Sequence, residues 1–109
     1  IGKLLRGEIK YATRHVRDFI HVSDVVNGIM LFVNGGTKDR LPAYNMGTGR
    51  GNKVSRVAHK YGWLGEITDG DDCEALDNTA DNSELLKLGW EPKIDVLDWI
   101  TGEYQCLEY

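Results

Sequence analysis

The feature that most limits the fold is a strand-like run that feeds directly into an amphipathic helix. Phe19, Ile20 and Val22 supply β-forming residues over positions 17–22, and Val22, Val26, Ile29, Met30 and Val33 then recur at helical spacing. Ser23 is expected to cap this helix, its hydroxyl accepting from a first-turn amide, with Asp24 complementing the helix dipole. Gly35-Gly36 closes it. A strand followed at once by a helix is a unit of layered α/β folds, and the rest of the chain repeats the alternation.

Positions 1–5 read as the end of a helix stopped by Gly7, and Ile9 and Tyr11 alternate with polar neighbours as in a short half-buried strand. Ala43-Tyr44-Asn45-Met46 reads as a strand ended by the glycine run Gly47-Thr48-Gly49-Arg50-Gly51. Asn52 is expected to cap a second helix with Val54, Val57, Ala58 and Tyr61 inward and Gly62 as its stop. A third helix opens on Asp81 with Glu84 three residues on, a capping-box spacing, and ends at Gly89. Asp95 caps a last helix carrying Val96, Leu97, Trp99, Ile100 and Tyr104. The expected fold is therefore α/β: one domain over 1–109, a few short strands alternating with about four helices, and strands paired in parallel.

Charge and composition exclude several classes of function. Thirteen basic residues against seventeen acidic give a net charge of −4, which argues against a surface for nucleic acid or anionic membrane. The longest apolar run, 29–33, is too short to span a bilayer, and no signal peptide is visible. Cys73 and Cys106 are too few for a disulfide framework and are read as reduced thiols of a cytoplasmic protein. The chain opens on Ile1 rather than methionine, so a fragment, a processed product or an excised piece of a longer protein is expected.

Two motif-like stretches do not carry the chemistry they resemble. Gly47-Thr48-Gly49-Arg50-Gly51 lies between a strand and a helix, but a dinucleotide fingerprint needs glycine where Asn52 stands. The acidic run Asp69, Asp71, Asp72, Glu74, Asp77 fails as a calcium loop because Glu74 holds the sixth position, where glycine is required, and it reads as a solvated loop. His15, His21 and His59 lack metal-ligand spacing with either cysteine, so no metal site is assigned. Trp63, Trp90 and Trp99 are read as core and core-edge residues.

The string Arg17-Asp18-Phe19-Ile20-His21-Val22-Ser23-Asp24-Val25-Val26 resembles a segment of the extended short-chain dehydrogenase/reductases, the family of NAD-dependent nucleotide-sugar epimerases and dehydratases. Two further landmarks follow in the family's order: Tyr44-Asn45-Met46-Gly47, and Ala80-Asp81-Asn82-Ser83 running on to Leu88-Gly89-Trp90-Glu91-Pro92. The resemblance implies that this chain is the C-terminal, substrate-binding portion of such an enzyme.

It implies site residues as well. Arg17 matches an arginine that reaches the diphosphate or ribose of a nucleotide sugar, a role that suits the planar guanidinium fork. The plainer reading is that Arg17 pairs with Asp18 or another carboxylate. Asn45 matches a nucleotide contact, against the reading of a turn asparagine bonding its own backbone. Tyr11 falls where the family has an aromatic near the base or ribose, against the reading of a strand core residue. His21 is given no chemistry, and Asp24, Asp81 and Glu84 are assigned to helix capping.

The chain departs from the family in four places. Thr68, in Thr68-Asp69-Gly70-Asp71, stands where a second phosphate-binding arginine is usual, and the stretch ahead of it is shortened. The glycine-containing turn before Arg17 is replaced by Ala12-Thr13-Arg14-His15-Val16. Arg14 is a candidate substitute cation that spacing does not place. The glycine-rich cofactor fingerprint is missing, and none of Tyr11, Tyr44, Tyr61 and Tyr104 has a lysine four residues later. The expectation is thus no catalytic residue and no cofactor bound by this chain, with NAD(P) implied for a full-length relative and inactivity for the chain alone. Expected partners are a nucleotide diphosphate sugar and either an upstream Rossmann domain or a second copy. The alternative is a truncated homologue acting alone as a non-catalytic ligand-binding or scaffold module.

Overall fold

Val57 and Ala58, adjacent on one helix, each anchor a different half of the core. The computed structural model describes residues 1–35, 40–70 and 73–102. Within them the order is α1 (Gly2–Leu5), β1 (Tyr11–Thr13), β2 (Val16–Arg17), α2 (Val22–Val33), β3 (Asn52–Lys53), α3 (Val54–Lys60), β4 (Glu66–Thr68), α4 (Ser83–Lys87) and α5 (Val96–Ile100). Ala58 packs with Leu4 and Ala12, joined by Ile9, Val54 and Trp63, while Val57 packs with Val96 and Ile100, joined by Phe19, Leu97 and Trp99. The apolar face expected of this helix over 54–58 is thus the seam of the molecule. Tyr61, expected on the same face, is exposed.

The fold is α/β, with a mixed rather than purely parallel sheet arrangement. β1 pairs in parallel with β4, Ala12 opposite Ile67 and Thr13 opposite Thr68. β2 pairs antiparallel with β3, Val16 opposite Lys53 and Arg17 opposite Asn52. The strand expected over 17–22 stops at Arg17, because Asp18 leaves the ladder and α2 already begins at Val22. No strand forms over 43–46. There the chain folds back, Leu41 N–H donating to the Tyr44 hydroxyl at 3.2 Å while the Tyr44 ring meets Phe32 at 5.1 Å.

Three of the expected caps move. His21, not Ser23, caps α2, its Nδ1 accepting from Ser23 N–H at 3.1 Å. Asn52 lies in β3 and Lys53 occupies the cap of α3. Asp81 accepts from Ser83 N–H and Oγ ahead of α4, whose cap position is Asn82, and Glu84 pairs with Lys87 rather than reaching back. The α5 cap is as expected, Asp95 accepting from Leu97 N–H and Asp98 N–H at 2.9 and 3.4 Å. Gly36, Asp71, Asp72, Tyr104 and Cys106 lie outside the described residues.

α2 forms where the helical spacing of its apolar residues predicts it, with that stripe turned outward. Its buried residues are Asp24 and Gly28, whereas Val22, Val26, Ile29, Met30 and Val33 are 41–67% exposed. The helix packs through its small and polar side, and its apolar stripe is uncovered. The Cα radius of gyration is 15.9 Å, above the roughly 13 Å of a compact 100-residue domain. No helix among the described residues is long and apolar enough to cross a membrane.

Candidate functional site

Two aspartates six residues apart join the three motif segments into one unit. Asp18 Oδ1 accepts from Thr48 N–H at 2.9 Å and Thr48 Oγ1 at 2.6 Å, and its Oδ2 accepts from Gly49 N–H at 3.0 Å and Ala80 N–H at 3.2 Å. Gly47 is what lets these segments close: a Cβ there would lie 2.5 Å from the Ala80 Cβ and 2.6 Å from Asp18 Oδ2. Asn82 ties the same junction, its Nδ2 donating to Gly47 O at 2.9 Å.

Asp24, six residues later, does the equivalent work. It is 1% exposed, and its two carboxylate oxygens accept from Lys93 N–H at 3.0 Å and Ile94 N–H at 3.1 Å. Its carbonyl accepts the Trp90 indole N–H at 2.9 Å. Asp24 keeps the first-turn position expected of it, while its side chain bonds to distant amides rather than capping the helix. A carboxylate buried this deeply is stable only when amides solvate it, and two do.

Arg17 lies beside this junction. Its Nη1 donates to Val16 O and Ala75 O, both at 2.8 Å, and its Nη2 to Glu74 Oε2 at 3.2 Å. The carboxylate it pairs with is thus Glu74, and Asp18 is engaged elsewhere. His15, 2% exposed, points Nδ1 at the same Glu74 oxygen from 3.3 Å, within ion-pair range but off the line a hydrogen bond requires. Arg14 donates to Asp69 at 2.6 Å, next to the Thr13–Thr68 strand pair. The described acids of the run, Asp69, Glu74 and Asp77, are exposed as expected, and Asp69 and Glu74 each also pair with a cation of the β1–β2 segment. Thr79 holds the Asp77 carboxyl below the usual carboxylate range through its hydroxyl and amide, with the Arg17 charge adding to the effect.

Asn45 and Tyr11 are both exposed, Tyr11 at 59%. Neither they nor Arg17 line the two clefts that follow. An apolar cleft of about 500 Å³ is lined by Phe19, Ile20, His21, Val22, Ile94 and Trp99 among others. A polar one of about 760 Å³ lies between the glycine run and the 91–93 segment, with Arg50, Asn82, Glu91 and Lys93 on its walls. Among the described residues no group of three or more His, Cys, Asp or Glu is placed to hold a metal ion. Reading the sequence missed Asp18, Asp24, His15 and Glu74 as structural centres. The only signal was that three of the four sit in or beside the matched string.

No protein-family model matches the chain. Its fold superimposes on the UDP-glucose 4-epimerase of Bifidobacterium longum, solved with NAD+ and UDP, with a TM-score of 0.68 and 28% identity over 90% of this chain and 35% of that one. The UDP-glucose-4-epimerase of Stenotrophomonas maltophila, solved with NAD and formylated UDP-arabinopyranose, gives a TM-score of 0.73 and 25% identity over 96% of this chain and 37% of that one. The chain is a relative of the extended short-chain dehydrogenase/reductases. Among curated proteins, GDP-L-fucose synthase 1 of Arabidopsis thaliana is 28% identical over 97 residues, 82% of this chain and 29% of that protein. The chain spans about a third of the length of these relatives and corresponds to the C-terminal part of the extended short-chain dehydrogenase/reductase fold.

Proposed function

We propose that the chain is the substrate-binding portion of an NAD-dependent nucleotide-sugar epimerase or dehydratase. Arg17 takes the diphosphate, and cofactor binding and proton transfer fall to a separate Rossmann domain. The observation that carries this reading is the Arg17 fork: one nitrogen is pinned by two backbone carbonyls while the other holds an exposed carboxylate, the arrangement of a pre-set anion receptor. Asn45 and Tyr11 are assigned to the nucleotide by resemblance, and both are accessible. The relatives solved with UDP and NAD support the ligand class. The cysteine count supports a reducing, cytoplasmic location.

The uncovered apolar stripe of α2 is the surface we assign to the cofactor domain, since a layered α/β fold covers such a stripe with a sheet. The same stripe favours a second reading, a truncated module that pairs with a copy of itself. Titration calorimetry with uridine diphosphate separates the ligand claim from both: Arg17→Ala should weaken binding by at least about tenfold, the loss of one charge-assisted hydrogen bond. Equal affinity of wild type and variant would remove Arg17 from the site.

A further inference from the structure

We propose that Glu74 is a built-in competitor for the anion seat of Arg17, and that His15 is the second donor of that seat. The inference rests on the reading of Arg17 as a phosphate contact. A diphosphate enters by displacing the Glu74 carboxylate, after which one phosphate group accepts from both Arg17 Nη2 and His15 Nδ1.

The receptor is fixed and its occupant is loose. The side chains of His15 and Arg17 are 2% and 25% exposed, that of Glu74 57%. His15 and Arg17 are two residues apart on extended backbone, so their side chains project to one face. Backbone holds both residues: Val54 N–H donates to His15 O at 3.0 Å, and Ala75 O holds the Arg17 fork at 2.8 Å. The imidazole is seated by Gly70, whose φ is +80° and where any Cβ would collide with the ring. Glu74 holds nothing as firmly, because an exposed carboxylate–guanidinium pair is weak in water.

Glu74 also fits the seat badly. His15 Nδ1 is buried without a hydrogen bond although a carboxylate oxygen lies 3.3 Å away. A buried polar nitrogen left unmatched is unfavourable, and a ligand that satisfies it gains accordingly. A carboxylate offers two oxygens in one plane. A diphosphate offers two free oxygens on each of two tetrahedral phosphorus atoms and carries more charge, so it can meet two donors that approach from different directions. The neighbouring charges repeat the pattern: Arg14 is held by Asp69 at 2.6 Å, and Asp77 lies near enough to Arg17 for its carboxyl to feel the guanidinium. Asp69, Glu74 and Asp77 thus stand in for a polyanion beside Arg14 and Arg17.

Calorimetric titration with inorganic pyrophosphate and with uridine diphosphate tests this, each variant being checked for folding by thermal unfolding. Glu74→Gln, which removes the competing charge, should bind both probes about tenfold more tightly than wild type. Glu84→Gln, which removes the same charge beside Lys87, should stay within about twofold. The Glu74→Gln gain should vanish in the Arg17→Ala background. If Glu74→Gln is no tighter than wild type, or no tighter than Glu84→Gln, the competitor role is wrong while an Arg17-dependent wild-type affinity keeps the underlying reading. If neither probe binds any form of the chain, both fall together. The His15 ring nitrogen resonance of Glu74→Gln should move on adding pyrophosphate, and a stationary resonance removes His15 from the seat.

Discussion

Asp18 and Thr48, thirty residues apart, meet through two hydrogen bonds onto one carboxylate oxygen, from the threonine hydroxyl at 2.6 Å and its amide at 2.9 Å. The other oxygen receives Gly49 and Ala80. One side chain therefore fixes the segment after β2, the glycine run and the approach to α4. Asp18→Ala should leave these donors without their acceptor and cost about 2–4 kcal/mol in urea denaturation, given charge-assisted bonds that do not add fully. A loss under about 0.5 kcal/mol would mean that water replaces the carboxylate at no cost.

Gly47 is predicted to be sensitive too, for a steric reason. Gly47→Ala places a methyl against Ala80 and the Asp18 carboxylate, so the two segments must part. The expected cost is about 1–3 kcal/mol, the range for overpacking. The double variant with Asp18→Ala should lose less than the sum, because both changes break the same junction.

Trp90 separates packing from hydrogen bonding at the second junction. Trp90→Phe keeps most of the buried ring but deletes the donor to the Asp24 carbonyl, and should cost about 1–2 kcal/mol. Trp90→Ala should cost about 3–5 kcal/mol. Equal losses for the two would show that the indole N–H carries the whole contribution.

Asp77 and Asp81 give the pH dependence. Each carboxyl is held below its ordinary value, first by a hydroxyl (Thr79 or Ser83) and then by the matching backbone amide. A depressed carboxyl pKa stabilises the folded chain above the unfolded value. That contribution is lost as pH falls through the folded value, in the window below about pH 4. Carboxyl-carbon NMR titration of Thr79→Val should move the Asp77 midpoint up toward the ordinary carboxylate value and leave Asp81 where it was.

The apolar stripe of α2 predicts association. Sedimentation velocity of the chain alone should show a concentration-dependent fraction above monomer, and Val26→Lys with Ile29→Lys should abolish it. Both positions are about half exposed, so the pair should alter stability little. A wild-type chain that stays monomeric at every concentration removes the stripe as a self-association surface.

What the sequence made legible was local. Asp95 could be read as a cap because its partners, Leu97 and Asp98, are two and three residues away, and the inner face of α3 followed from Val54, Val57 and Ala58. Periodicity also placed α2 correctly, but it could not say which face is covered, because cover comes from other segments. Asp24 satisfied the local rule for a first-turn acid while its amide partners lie 69 and 70 residues on. Arg17 was given a carboxylate partner in the plainer reading, yet nothing near it in the chain pointed to Glu74, 57 residues away. Ala43–Met46 had strand-forming residues and no ladder to join, and strand propensity is silent about partners.

The central claim is that Arg17 grips a nucleotide diphosphate, and amide NMR during titration with uridine diphosphate tests it most directly. The account predicts that the largest shifts fall on Val16, Arg17, Glu74 and Ala75, and that they disappear in Arg17→Ala. Shifts confined to the apolar cleft of Phe19 and Trp99, or unchanged by the substitution, would contradict it.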